Sequence, residues 1–175
     1  MTARTWPFQR TLLIACTLAA CWLGMMCVHE LGHVINAFLS GGQVIRVVLN
    51  PMEFSRTDVS PNPHPAFVAW GGVVWGSALP AGLWILTRRC GFAFLLRFFA
   101  GFCLVANGAY LASAVLLRVG DMEELIRQGV PSWLLGLSGL PLVVAGLCPW
   151  HPLRPSFGSG GGAVERSVSV SAGVS

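Results

Sequence analysis

Four long apolar runs, separated by short polar stretches, dominate the hydrophobic pattern of this chain. They cover residues 11–39, 65–87, 92–117 and 131–149. A helix rises about 1.5 Å per residue, so runs of this length are suited to crossing a hydrocarbon core about 30 Å thick. In lipid, the backbone polar groups of a span must be paired within that span, which requires helices. We therefore predict an all-α, multi-pass integral membrane protein with about four transmembrane helices.

The residues between and within the runs refine this prediction. Gly41-Gly42 follows the first run, as expected at the C-terminus of a helix. The β-branched segment 44–49 predicts a strand, and residues 53–59 predict a returning strand, so we expect a short hairpin or extended loop over 43–60 at the membrane surface. Gly71-Gly72 in the second run would let neighbouring helices approach closely.

Composition supports a membrane environment. Of the 175 residues, 54% are apolar and only 10% are charged, whereas a soluble domain usually carries about 25% charged residues. No polar segment is long enough to form a second domain, so we expect one membrane-embedded domain over residues 1–152. The Gly/Ser/Val-rich tail over 153–175 is expected to be disordered.

The positive charge of the chain does not indicate a nucleic-acid partner. The net charge of +4 includes no lysine, and the arginines occur singly or in pairs along the sequence. Nucleic-acid binding usually needs a basic patch with interleaved aromatic residues, and the sequence has none. Arginines in these positions are typical of the ends of membrane spans, where they meet the headgroups of the lipid bilayer.

The strongest chemical signal is His29-Glu30-Leu31-Gly32-His33, which matches H-E-x-x-H. Residues four apart share one face of a helix, so His29 and His33 can bind one zinc ion. Glu30 lies beside the first ligand and can reach a zinc-bound water, whose pKa the metal lowers to about 7. Ionisable groups inside an apolar run are costly, so a functional role is the default interpretation.

A catalytic zinc site needs a third protein ligand and an open position for water. If the runs cross the membrane in alternation, the third run brings Asp121 back to the side that holds the histidine pair. His64 lies on that same side but in a loop, whereas His151 follows the fourth run and ends on the opposite side. The candidate donors are His64, His151, Glu53, Asp58, Asp121, Glu123 and Glu124.

On these residues, the chain resembles the site-2 protease family of intramembrane zinc metalloproteases. The resemblance rests on the motif at 29–33 within a membrane helix, on the Gly41-Gly42 that follows, and on Gly120-Asp121 after the third run. It covers roughly residues 11–129. Members of that family carry HExxH on the first helix of a three-helix core and an aspartate ligand on the third, so this chain would be a minimal-core member.

The resemblance implies both a site and an activity. It implies His29, His33 and Asp121 as zinc ligands and Glu30 as the general base. The reaction would be hydrolysis of peptide bonds, with a membrane protein or peptide as substrate.

The chain departs from the family pattern around the third ligand. The common Leu-Asp-Gly is replaced by the sequence at 119–122, and the nearest upstream asparagine, Asn107, is fourteen residues before the acid. On one helix that distance is about four turns, so we expect Asn107 to be a buried helix contact rather than an oxyanion donor.

The segment containing Val44, Ile45 and Val47 resembles the membrane-surface strands of the family, whose free edge could hold an extended substrate; a plain interhelical loop is the alternative.

Other interpretations of the same residues stay open. The chain could be a non-catalytic membrane protein that keeps the fold and binds a partner or a structural metal. It could also transport metal along a path lined by His29, His33 and Asp121.

The start of the chain allows another interpretation, because Leu18-Ala19-Ala20-Cys21 matches a lipoprotein cleavage box. The apolar run, however, continues about 18 residues beyond this cysteine, to residue 39.

Overall fold

The computed structural model of the protein describes residues 6–53 and 55–150. These residues form a mostly helical protein, as predicted, in which three helices, rather than the four expected, are long and apolar enough to cross a membrane. A two-stranded antiparallel hairpin completes the fold. The elements are α1 (Trp6–Leu39), β1 (Val44–Val48), β2 (Arg56–Val59), α2 (Pro65–Thr87), α3 (Ala93–Ser113), α4 (Asp121–Arg127) and α5 (Ser132–Leu147). The tail at 153–175 and His151 lie outside the described residues.

Helix α1 ends where the glycine pair predicts. It is a single helix of 34 residues, about 50 Å long at the standard rise. Gly41 has a φ of +75°, a conformation that glycine adopts without strain. Its N–H donates to the carbonyl of Phe38 at 3.3 Å, and the N–H of Gly42 donates to the carbonyl of Ala37 at 2.8 Å. These two bonds satisfy the last carbonyls of the helix in the manner of a Schellman motif.

The predicted third span, 92–117, is longer than the helix that forms. Helix α3 ends at Ser113, and residues 114–117 form a turn in which the N–H of Leu117 donates to the Ser113 carbonyl at 2.7 Å. These residues are apolar, so the hydrophobic pattern could not show where the helix stops. The early end lets the chain turn at Gly120 into α4, which begins with Asp121.

The hairpin predicted over 43–60 forms, with Val44 opposite Val59 in the register. Its returning strand begins at Arg56 rather than at Glu53. Glu53 belongs to the connecting turn, where its Oε2 accepts a hydrogen bond from Asn50 Nδ2 at 3.1 Å. Side-chain hydrogen bonding by asparagine competes with strand pairing in this way.

Glycines set the spacing of the helices. Helix α2 packs between α1 and α3, and α5 packs along α3. A Cβ placed on Gly71 of α2 would collide with the backbone carbonyl of Gly32 in α1, and a Cβ on Gly32 would collide with that of Gly71. The two backbones therefore touch, as small residues allow between helices in lipid. This contact sets the distance from the histidine motif of α1 to α2.

We predict that Gly71→Ala destabilises the protein, because a backbone carbonyl cannot move aside as a side chain can. Overpacking of this kind costs about 1–3 kcal/mol in the free energy of unfolding. The measurement is thermal unfolding of the detergent-solubilised protein. Gly82→Ala is the matched control on the same helix, since nothing lies within 4 Å of its added Cβ. An unchanged midpoint for Gly71→Ala would contradict the packing described.

Candidate metal centre

Three side chains from two helices converge at one point. His29 and His33 lie one turn apart on α1, with ring centroids 4.9 Å apart. Asp121 Oδ2 lies 3.0 Å from His29 Nε2, and its Oδ1 lies 3.3 Å from His33 Nε2. One ligand atom from each of the three side chains lies within 4.8 Å of the others, and no other group of three such residues occurs in the described part of the chain.

Hydrogen bonds at the far side of each ring fix the histidine tautomers. His33 Nδ1 lies 2.8 Å from the carbonyl oxygen of Val68, which only accepts, so this nitrogen carries a proton. His29 Nδ1 lies 2.8 Å from Asn107 Oδ1. The amide nitrogen of Asn107 donates to the carbonyl of Cys103 at 2.9 Å, which orients its oxygen towards His29. Both Nδ1 atoms are therefore donors, and each Nε2 of a neutral ring presents a lone pair.

Those lone pairs face a carboxylate, which makes a cation the natural occupant. With neutral rings, His29 and His33 aim two acceptors at the acceptor oxygens of Asp121, and a metal ion among them turns repulsion into coordination. Two ligands of a tetrahedral metal ion with bonds of about 2 Å are about 3.3 Å apart, close to the two N···O distances seen here. Three protein ligands leave one position open. The donor set therefore fits a metal ion.

The backbone of α2 makes room for this convergence. A Cβ on Gly72 would overlap the Nε2 atoms of both His29 and His33. Any larger residue at this position would force the ligand nitrogens away. The sequence analysis identified Gly71-Gly72 only as a helix-packing feature, yet the first glycine serves packing and the second faces the ligands.

Asp121 is held in place by Tyr110, which the sequence analysis did not identify. The backbone N–H of Asp121 donates to the Tyr110 hydroxyl at 3.0 Å, and that hydroxyl donates to the carbonyl of Val119 at 3.4 Å. Between them, Gly120 has a φ of +59°, and a Cβ there would lie 2.6 Å from the hydroxyl oxygen. The only sequence signal was that Tyr110 is the single tyrosine of the chain.

The surroundings of Asp121 keep it ionised. Burial by itself disfavours the charged form of the carboxyl group. Hydrogen bonds that the His29 and His33 rings donate when no metal occupies their Nε2 atoms outweigh burial and hold the pKa of Asp121 well below its usual range. The group is therefore negatively charged at neutral pH, as a metal ligand must be.

Glu30 lies beside the centre and is almost fully buried, with 2% of its surface exposed. Its Oε2 accepts a hydrogen bond from Thr57 Oγ1, on β2, at 2.7 Å. The turn of the hairpin is also tied to α1, because Trp22 Nε1 donates to the carbonyl of Pro51 at 3.4 Å. Glu30 and the three convergent side chains line a cavity of about 770 Å³. Sequence reasoning did not identify Thr57, which carries no motif.

The structure alters the expected roles of the strand residues. Val44, Ile45 and Val47 do not line the cavity; residues 55–59, which include β2, line it instead. The hairpin therefore turns its second strand, and not its first, towards the centre. Asn107 is at the centre as the hydrogen-bond partner of His29, with its amide oxygen on His29 Nδ1 and one of its two amide N–H groups on the Cys103 carbonyl.

Among the candidate third ligands, the structure brings only Asp121 to the histidine pair within the described residues. The other described donors are exposed or bound elsewhere. The two arginines Arg46 and Arg56, Arg46 foremost, hold the pKa of Asp58 below its usual value. His64 and Glu123 are exposed. Glu53 is bonded to Asn50, and Glu124 is paired with Arg127. Asp58 is paired with both Arg46 and Arg56.

Comparisons of the chain with protein-family models, with curated proteins and with solved structures give no match. The function of the centre must therefore be inferred from its own chemistry. That chemistry consists of two imidazole lone pairs, one ionised carboxylate and one further buried carboxyl group in a shared cavity.

We predict that Asp121→Ala loses metal binding, because the two imidazoles then lack the anionic ligand. Wild-type protein is expected to hold about one metal ion per chain and the variant less than about a tenth of that. Elemental analysis of purified protein after exposure to zinc measures both. Glu123→Ala is the matched control, since this acid is exposed on the same helix. Equal metal content in Asp121→Ala and wild type would rule out the proposed ligand set.

We predict that Tyr110→Phe weakens zinc binding about tenfold, the range typical of groups that orient a metal ligand. The variant keeps the ring that contacts His29, at a centroid distance of 5.8 Å, and loses only the hydroxyl. Competition with a chelating dye measures the zinc affinity. Circular dichroism and the unfolding midpoint of the metal-free protein separate a local effect from general misfolding. An unchanged affinity would show that Tyr110 does not position Asp121.

Proposed function

We propose that the protein is an intramembrane zinc endopeptidase of the site-2 protease type. The observation that carries this proposal is the joint placement of His29, His33 and Asp121 beside a buried Glu30 in one cavity. In an H-E-x-x-H metalloprotease, catalysis requires the metal ligands and the general base to lie together in this way.

Zinc is the metal that suits these donors. Two neutral imidazoles and one carboxylate, with a position left open, form a ligand set typical of catalytic zinc. A bound zinc ion would supply Lewis acidity at the peptide bond to be cleaved. The hydrogen bonds from His29 to Asn107 and from His33 to Val68 support both rings as ligands, because they keep the proton on Nδ1.

Glu30 is the group that would move protons. Thr57 donates to Oε2 of the carboxylate and fixes its orientation, which leaves Oε1 to accept a proton from the attacking water. The same carboxyl group would then deliver that proton to the amide nitrogen that leaves.

The cavity suits an extended peptide segment of a membrane protein. Its walls combine apolar side chains of α1, including Trp22, Met25 and Met26, with the polar strand β2. Within the described residues β2 pairs only with β1, so its other edge is available to pair with substrate backbone. A helical substrate hides its amides and must unwind, and strand pairing would stabilise the unwound form. The substrate edge is thus proposed on β2 rather than at Val44, Ile45 and Val47.

We place the protein in the bilayer as a multi-pass protein. Helices α1, α2 and α3 are the candidate spans, and α5 is a fourth, shorter apolar helix of 16 residues packed along α3. At about 24 Å, α5 alone falls a little short of the hydrocarbon thickness. The flanking residues of 131–149 would complete the crossing.

A non-catalytic metal-binding membrane protein is the second candidate. The observation in its favour is that the Asn107 amide is used to orient His29, with its oxygen on His29 Nδ1 and one N–H on the Cys103 carbonyl, which leaves a single N–H for a developing oxyanion. Such a protein would hold zinc through the same three ligands and would cleave no peptide.

We predict that Glu30→Gln keeps zinc but loses proteolysis. The amide is nearly isosteric with the carboxyl group and still accepts from Thr57, yet it cannot take a proton, so cleavage should fall by about 100-fold or more. The assay combines zinc-loaded protein in vesicles with a set of synthetic single-span peptides, and mass spectrometry detects the fragments. Glu123→Gln is the matched control, with cleavage at the wild-type rate.

Two outcomes would overturn the proposal. Cleavage by zinc-loaded Glu30→Gln at the wild-type rate would remove Glu30 from the mechanism. Wild-type protein that holds zinc tightly yet cleaves none of the peptides would favour the non-catalytic candidate.

A further inference from the structure

The acidic side chains are confined to one end of the helical bundle. All described acidic residues lie at the end that holds the metal centre, on α1, the hairpin and α4. At the other end, the turn between α2 and α3 and the start of α3 contribute Arg88, Arg89 and Arg97. No described acidic residue lies at that end to balance them. The described acids are Glu30, Glu53, Asp58, Asp121, Glu123 and Glu124.

Arg97 differs from the other two arginines in its surroundings. It lies in the second turn of the apolar helix α3, and its guanidinium carbon is 5.7 Å from the centre of the Trp84 ring on α2. Its Nε is buried and has no hydrogen-bond partner among the described residues. A buried guanidinium nitrogen normally has a partner, so this N–H points to a ligand outside the described residues.

The chemistry around Arg97 selects the ligand. The planar edge of a guanidinium group pairs well with two oxygens of a phosphate. Trp84 and Trp150 flank this part of the bundle, and Trp150 stacks on Phe98 at a centroid distance of 5.3 Å; tryptophans of this kind mark the headgroup level of a membrane. Close by, the exposed side chain of Leu86 would meet acyl chains.

We propose that Arg97 binds the phosphate of an anionic phospholipid headgroup at this end of the bundle. Arg97 makes the direct contact, and Trp84 supports its guanidinium by a cation–π contact. Arg88 and Arg89, both exposed, add long-range attraction. The lack of a nearby described carboxylate disfavours a zwitterionic headgroup, because its ammonium group would find no counter-charge. This site is separate from the metal centre and does not depend on the proposed proteolysis.

The test is native mass spectrometry of the full chain in mild detergent, titrated separately with phosphatidylglycerol and phosphatidylcholine. Wild-type protein should bind the anionic lipid about five to ten times more tightly, an effect of one well-placed arginine. Arg97→Gln should abolish that preference, and Arg89→Gln should keep most of it. Arg97→Lys keeps the charge but not the planar edge, so it should retain only part of the preference.

Competition with inorganic phosphate distinguishes a lipid headgroup from a free phosphate ion as the ligand of Arg97. Millimolar phosphate should leave the phosphatidylglycerol bound, because the acyl chains contribute to its affinity. Complete displacement by phosphate would identify a free-anion site and overturn the lipid assignment. A wild-type preference for phosphatidylglycerol that persists in Arg97→Gln, or no preference in wild type, would overturn the role of Arg97. Circular dichroism of each variant confirms that the fold is retained.

Discussion

The centre of this protein depends on an arrangement of acceptors that is unfavourable without a cation. His29 and His33 give their Nδ1 protons to Asn107 and Val68, and their Nε2 lone pairs then face the ionised Asp121. Two nitrogen lone pairs and a carboxylate are not brought together in a buried place unless a positive charge lies between them. The surrounding helices can be understood as the frame that holds these three groups together.

That frame is built from contacts between backbones. Gly32 and Gly71 let α1 touch α2, and this contact brings the Val68 carbonyl within reach of His33. The early end of α3 and the turn at Gly120 carry the third ligand back to the first helix. Each of these features constrains where a side chain of the centre points, so a packing change remote from the ligands would alter them.

The hairpin and the opposite end of the bundle add two further constraints. Thr57 of β2 binds Glu30, so the hairpin fixes the side chain proposed to move protons as well as lining the cavity. At the far end, Arg97 stands in an apolar helix, and no described residue is a hydrogen-bond partner for its buried Nε. We have proposed catalysis at one end of the protein and lipid binding at the other.

The sequence by itself determined the helical class, the position of the glycine stop after α1 and the pairing of two histidines, because these follow from local periodicity and spacing; it left the segment 43–60 open between a hairpin and an extended loop. It also placed Asp121 on the same side as the pair by counting spans. Only the tertiary structure decided that α3 ends at Ser113, that β2 faces the cavity, and that Gly72 and Tyr110 shape the centre. These features depend on contacts between residues far apart in the chain, and local pattern carries no information about such contacts.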